Sequence, residues 1–154
     1  MTKTIDSDPG FKKTINNLKG PNEVFAGLLG DVNEFLLIIG GANEFGVENA
    51  DGTIRIPSRP FIRSTYDLHK DQIAKMLEKQ IIPVVMGKTT VKKVLDKVGV
   101  FFVGKVKERM GDSPSPFQKN ADSTLKKKFP KDQPLIESVG RLRSAVAHTF
   151  TKQE

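Results

Sequence analysis

The strongest constraint on this chain is the run of apolar residues between 89 and 110. Val91, Val94, Leu95, Val98, Phe101, Phe102, Val106 and Met110 recur at helical spacing and mark one broad apolar face. Lys92, Lys93, Asp96, Lys97, Lys105, Lys107 and Glu108 occupy much of the remainder. A long amphipathic helix is expected here, with Thr89 or Thr90 as its N-cap. Gly99 and Gly104 interrupt it, and close crossings are expected at both.

The surrounding segments alternate in character. Phe11, Ile15 and Leu18 share one helical face over residues 9–19, ended by Gly20-Pro21. Residues 23–30, EVFAGLLG, read as a strand. Phe35, Leu36, Ile39 and Ala42 fit a helix over 32–45, although Gly40 and Gly41 would each cost roughly 1 kcal/mol in its interior. That helix is expected to pack closely on a neighbour. Asp51-Gly52 signals a turn, and Ile54 and Ile56 then alternate with Thr53 and Arg55 as in a strand that ends at Pro57. Ser64 to Asp67 resembles a capping box, opening a helix that runs to about Gln80 and breaks at Pro83. Residues 111–133 are rich in proline, lysine and small polar residues, which predicts a long solvated, flexible loop with one turn around 122–128. A short helix over about 135–144 follows. Val146, His148 and Phe150 then share one face of a closing strand.

With 154 residues the chain suffices for one domain with a real core. Cysteine is absent, which excludes disulfides, thiol catalysis and thiolate metal sites. No apolar run approaches the roughly 20 residues of a membrane span, and no leader peptide is expected from MTKTIDSDPG.

The net charge of +7 invites a nucleic-acid reading. Its distribution is uneven. Residues 31–51 hold five acidic residues and no lysine or arginine, whereas residues 119–152 hold eight basic residues against three acidic ones. Opposite poles of this kind suit head-to-tail contact between copies, which closes into a ring where the rotation allows. The Lys126-Lys127-Lys128 run could bind phosphates without reading sequence. A solvated loop beside an acidic neighbour accounts for it more readily, because the aromatic interleaving of single-strand binders is sparse.

Motifs for chemistry are weak throughout. Gly87-Lys88-Thr89-Thr90 lacks the glycine that a phosphate loop needs five positions earlier, where Ile82 stands. Gly40 to Gly46 does not match the spacing of a dinucleotide fingerprint. His69 and His148 lack a second ligand-type residue at metal spacing. Ser144, His148 and an acid could be drawn as a triad, but no nucleophile elbow surrounds them. No enzyme, cofactor or metal is expected.

The stretch IPSRPFIRS, residues 56–64, is the most informative. Pro60 drives Arg59 into an extended conformation, and Pro57 fixes its own φ and donates no hydrogen bond. A stiff connector therefore leads from a strand into a helix, with Phe61 and Ile62 as apolar anchors. Arg59 and Arg63 ride on this ordered backbone, which suits either a structural corner or an interface formed at low ordering cost.

Glu44-Phe45-Gly46 followed by Ile56-Pro57-Ser58-Arg59-Pro60-Phe61-Ile62-Arg63 resembles the E-F-G … I-P-A-R-P-F-L-R pattern of tailed-phage virion-morphogenesis proteins, also called tail-completion or minor tail proteins. Gly87-Lys88 with the long helix resembles that family's central region. Pro134-Leu135-Ile136-Glu137-Ser138-Val139-Gly140-Arg141-Leu142-Arg143-Ser144 resembles its P-L-I-D-T-G-x-L-R-x-S ending. Ser58 stands where alanine is usual, and one extra residue separates Glu137 from Gly140. The blocks agree in order from about residue 23 to 150. The resemblance implies an α+β subunit with a small antiparallel sheet flanked by helices. It implies a ring of six copies at the head-proximal end of a tail or in the neck, formed in the bacterial cytoplasm and retained in the virion. The partners implied are the subunit's own copies, the tail tube and the neck or connector proteins. DNA in the channel is a further possible neighbour, and no membrane is implied. The structural residues implied are Glu44, Phe45, Gly46, Pro57, Arg59, Pro60, Phe61, Arg63, Gly140, Leu142 and Arg143.

Overall fold

From residue 63 the chain runs helical to residue 110 with a single break, and the rest of the fold is arranged around that hairpin. The structure, a computed structural model, describes residues 9–29, 32–112, 115–127, 133–135 and 140–151. In chain order, α1 (Pro9–Asn17) leads to β1 (Val24–Leu28), α2 (Glu34–Phe45), the short strands β2 (Val47–Glu48) and β3 (Ile54–Ile56), and α3 (Arg63–Val85). Next come α4 (Val91–Met110), the single turns α5 (Asp122–Leu125) and α6 (Arg141–Ser144), and β4 (Val146–Phe150). The α+β class is as expected.

The long amphipathic helix is α4. Thr90 caps it, its hydroxyl accepting from Lys93 N at 3.3 Å, and Val94, Val98, Phe102, Val106 and Met110 are buried. It lies antiparallel to α3. Tyr66 sets its ring edge on Phe102 at 6.4 Å, His69 does the same to Phe101 at 5.9 Å, and Arg109 Nε donates to Ser64 Oγ at 2.9 Å. Gly99 faces β4 at the expected close crossing: a Cβ there would stand 2.4 Å from the His148 ring. Gly104 differs from expectation, since nothing lies within 4 Å of an added Cβ. Spacing marks both glycines alike; only the neighbour distinguishes them.

Two separate two-stranded ribbons form among the described residues, rather than one small sheet. β1 and β4 pair antiparallel from Val24↔Phe150 to Leu28↔Val146, joining the two ends of the chain. β2 and β3 pair through Val47↔Ile56 and Glu48↔Ile54 with a register shift between them. Pro57, which has no N–H for a ladder, follows β3 directly.

The core gathers residues distant in sequence. Phe61, Phe102, Val106, Met110, Phe117, Leu135, Leu142 and Val146 form one buried cluster, with Ala26, Leu28 and Ile39 packed against it. A fully buried side chain of this kind stabilises by about 1.5–3 kcal/mol relative to exposure.

Four local expectations are corrected. The start of α3 is not a capping box: the helix begins at Arg63, and Ser64 accepts from Arg109 instead. Pro83 does not end α3, which continues to Val85. A proline this near the C-terminus removes one intrahelical donor, while Met86 N, Gly87 N and Lys88 N close the final turn onto Ile82, Val84 and Pro83 carbonyls at 2.9 Å each. The 111–133 segment is fastened rather than simply solvated at its described residues, because Phe117 is buried and Gln133 Nε2 donates to Gly111 O at 2.7 Å. Its turn at 122–128 falls on α5. Of the helix expected over 135–144, the described residues show α6. Gly140 takes a left-handed φ of 61° that no helix passes through, and residues 136–139, like Lys128, lie outside the described residues.

Candidate functional site

Glu44, Gly46, Arg59 and Arg63 of the motif blocks meet at the elbow between α2 and α3, whereas Arg143 binds the end of α4. Glu44 is the last buried residue of α2. Its carboxylate reaches the start of α3, where Oε2 accepts from Ile62 N at 2.9 Å and Oε1 from Arg63 N at 3.0 Å. A helix start leaves its first amides without intrahelical partners, and a negative charge is favoured there. Glu44 meets both needs from 18 residues away, which a search for local caps cannot see. Arg63 completes the clamp, with Nε on Glu44 Oε1 at 3.1 Å and Nη2 on Glu44 O at 2.7 Å. Its guanidinium also sits 4.8 Å above the Phe45 ring. Phe45 itself points outward, away from the core.

Arg59 is only 3% exposed. Its backbone N–H donates to Asn43 O. Its side chain donates through Nε to Gln118 O at 2.8 Å, through Nη1 to Asn43 Oδ1 at 3.0 Å, and through Nη2 to Lys119 O at 3.2 Å and Asn120 Oδ1 at 3.1 Å. All four acceptors are neutral. Burial lowers its pKa from the ordinary arginine value, which remains too high for deprotonation. Arg59 therefore pins the 118–120 segment to the end of α2, and the elbow uses it as a structural corner.

Gly46, Ser58, Pro57 and Pro60 serve the same joint. Gly46 has φ of 83°, and a Cβ there would lie 3.1 Å from both Ile56 O and Ser58 N. Glycine is required on conformational and steric grounds alike. Ser58 Oγ donates to Glu44 O at 3.0 Å. Pro57 is half-buried, as is Pro60, whose carbonyl accepts from Ser64 N at 2.9 Å in the first turn of α3. Phe61 is fully buried, and its carbonyl accepts the buried Thr65 hydroxyl at 2.6 Å. Leu142 enters the core. Gly140 accepts Ser144 Oγ at 3.0 Å, and Arg143 Nε donates to Lys107 O at 2.8 Å, tying α6 to the end of α4. Residues 136–139 of that block are outside the described residues. Asn43 and Asn120 are the partners that sequence reading missed. Asn43 directly precedes the E-F-G block, which was the one available hint.

An open hollow of about 290 Å³ lies beside the elbow, walled by Leu36, Ile39, Asn43, Arg59, Thr124 and Leu142. No group of three metal-ligating side chains occurs among the described residues. His148 Nε2 lies 2.9 Å from Asp96 Oδ1, and His69 rests on Phe101, so each histidine has a local partner in the packing of α4. No described helix is long and apolar enough to cross a membrane.

A second feature lies on the opposite side of α2. Phe35, Leu37 and Ile38 are 45–63% exposed there. A helix apolar on all sides normally lies buried, yet only one side of α2 is covered. Comparison with protein-family models, with curated proteins and with solved structures finds no match.

Proposed function

We propose that this chain is a structural subunit of a tailed-phage virion, a ring-forming tail-completion or neck protein that caps the tail tube and joins it to the head connector, without catalytic activity. The motif resemblance supplies the identity of the assembly. The observation that carries the reading is the uncovered apolar side of α2. Covering its three large side chains on association would contribute about 1 kcal/mol each, given their partial exposure. A soluble monomer gains nothing from such a face; an assembling subunit does. The elbow supports the same reading, because its charged residues are used internally and present no reacting group.

Electron microscopy of purified tail tubes mixed with the protein tests this. Discrete rings at one end of each tube are expected. Bare tube ends at a tenfold excess of protein would overturn the assignment. A basic nucleic-acid-binding module, the alternative, would show DNA affinity falling steeply with salt.

A further inference from the structure

We infer that copies of this chain meet head to tail, the acidic apolar side of α2 on one copy seating on the basic apolar surface formed by α1 and the end of α3 on the next. This rests on the proposed self-assembly and identifies the surfaces that perform it. The second surface begins on α1, where Phe11, Ile15 and Leu18 form a stripe that stands largely in solvent. Leu18 opens onto an apolar groove of about 200 Å³, whose other walls include Leu77, Ile81 and Val91. Asn17 Nδ2 donates to Val85 O at 3.1 Å and fixes the end of α1 against the end of α3. Beyond the groove, Ile82 is 69% exposed and Met86 nearly as much.

Charge selects the pairing. Glu34, Glu48 and Asp51 are the exposed acids along residues 32–54, which hold no lysine or arginine, whereas residues 9–20 and 75–93 together hold eight lysines and one acidic residue. Seating α2 on a second α2 would set acid against acid, and seating the groove surface on itself would set lysine against lysine. Only the mixed pairing joins apolar area to apolar area with opposite charges around it. The shapes agree, since an exposed helix ridge fits an apolar groove. Such a contact is heterologous: each pair of copies keeps one free surface of each kind, and the chain of contacts ends only on closing into a ring. The basic pole read from sequence at 119–152 is not the surface used, because no large apolar side chain is exposed among its described residues.

Sedimentation velocity on the full chain and two variants tests the inference. Ile38→Lys alters the α2 side and Ile82→Lys the groove side. Both positions are exposed, so each variant is expected to keep the wild-type melting temperature. Wild type should assemble at micromolar concentration. Each variant alone should associate at least about 100-fold more weakly, a loss of about 2.7 kcal/mol. An equimolar mixture should give a 1:1 dimer and nothing larger, because only one intact surface of each kind remains. The inference fails if wild type stays monomeric to 200 µM, if either variant assembles as wild type does, or if the mixture yields no dimer. Assembly unchanged in both variants would spare the self-assembly reading while removing these surfaces from it; tube capping judges that reading separately.

Discussion

On its inner side α2 uses its polar atoms almost completely; on its outer side large apolar side chains predominate. Inward, Asn43 meets Arg59 through both its carbonyl and its amide oxygen, and Glu44 bonds two amides and a guanidinium. Outward, Phe35, Leu37 and Ile38 face solvent. The difference reverses the usual expectation of residue type. The charged residues that look like a binding motif hold the fold together, while apolar residues that look like core face solvent. A charge pattern in sequence therefore marks a constraint without saying on which side of the surface that constraint operates.

The inner side should break first under mutation. Arg59→Ala leaves Asn43 Oδ1, Gln118 O, Lys119 O and Asn120 Oδ1 without their donor. Hydrogen bonds to charged groups contribute about 1.5–3 kcal/mol each and are not additive, so a loss of about 3–4 kcal/mol is expected. Arg59→Lys should recover little, since a single ammonium cannot span the four acceptors. Urea denaturation measures both, and a midpoint unchanged in Arg59→Ala would show that the corner is not fastened this way. Glu44→Ala comes next, at about 2–3 kcal/mol, from the unpaired amides at the start of α3 and the lost partner of Arg63. Amide exchange should quicken over residues 62–65 in that variant; protection equal to wild type there would refute the cap.

The same inward-outward contrast recurs in the two glycines of α4. Gly99→Ala places a methyl group against the His148 ring, and overpacking costs of about 1–3 kcal/mol outweigh the roughly 1 kcal/mol of helix propensity gained. Gly104→Ala meets nothing within 4 Å and should stabilise by about 0.5–1 kcal/mol. Thermal unfolding of the pair should give shifts of opposite sign, and shifts of the same sign would undo the distinction.

The smallest effect concerns the β2–β3 turn. Thr53 donates to Asp51 Oδ1 from both its hydroxyl and its amide, and these bonds lower the Asp51 pKa below its ordinary value. The folded pKa is depressed, so the contribution is present above the unfolded pKa and fades as pH falls through the folded one. Asp51 is fully exposed, and acid unfolding should barely register Asp51→Asn. A carboxyl carbon titration by NMR should still place its midpoint below that of a free aspartate, and the Thr53→Ala variant should move it only part of the way back, since the residue 53 amide still donates.

Much of the fold was legible because its signals are local. The period of apolar residues gave α4, Thr90 lies beside the helix it caps, Asp51-Gly52 makes its own turn, and the prolines at 57 and 60 stiffen their own backbone. What failed was read from the same local rules. Ser64 to Asp67 has the letters of a capping box, but a carboxylate from α2 occupies that role. Pro83 has the letters of a helix stop, but three amides beyond it close the turn.

By itself, then, the sequence determined the helical periods, the stiff elbow, the buried Phe61 and the absence of thiol chemistry. These depend on backbone sterics and residue spacing within a few turns. Only the tertiary structure decided that Glu44 caps α3, that Arg59 turns inward to Asn43 and Asn120, and that half of α2 stays uncovered. Those outcomes depend on which distant segments meet across the core, and hydrogen bonds and desolvation act through space rather than along the chain.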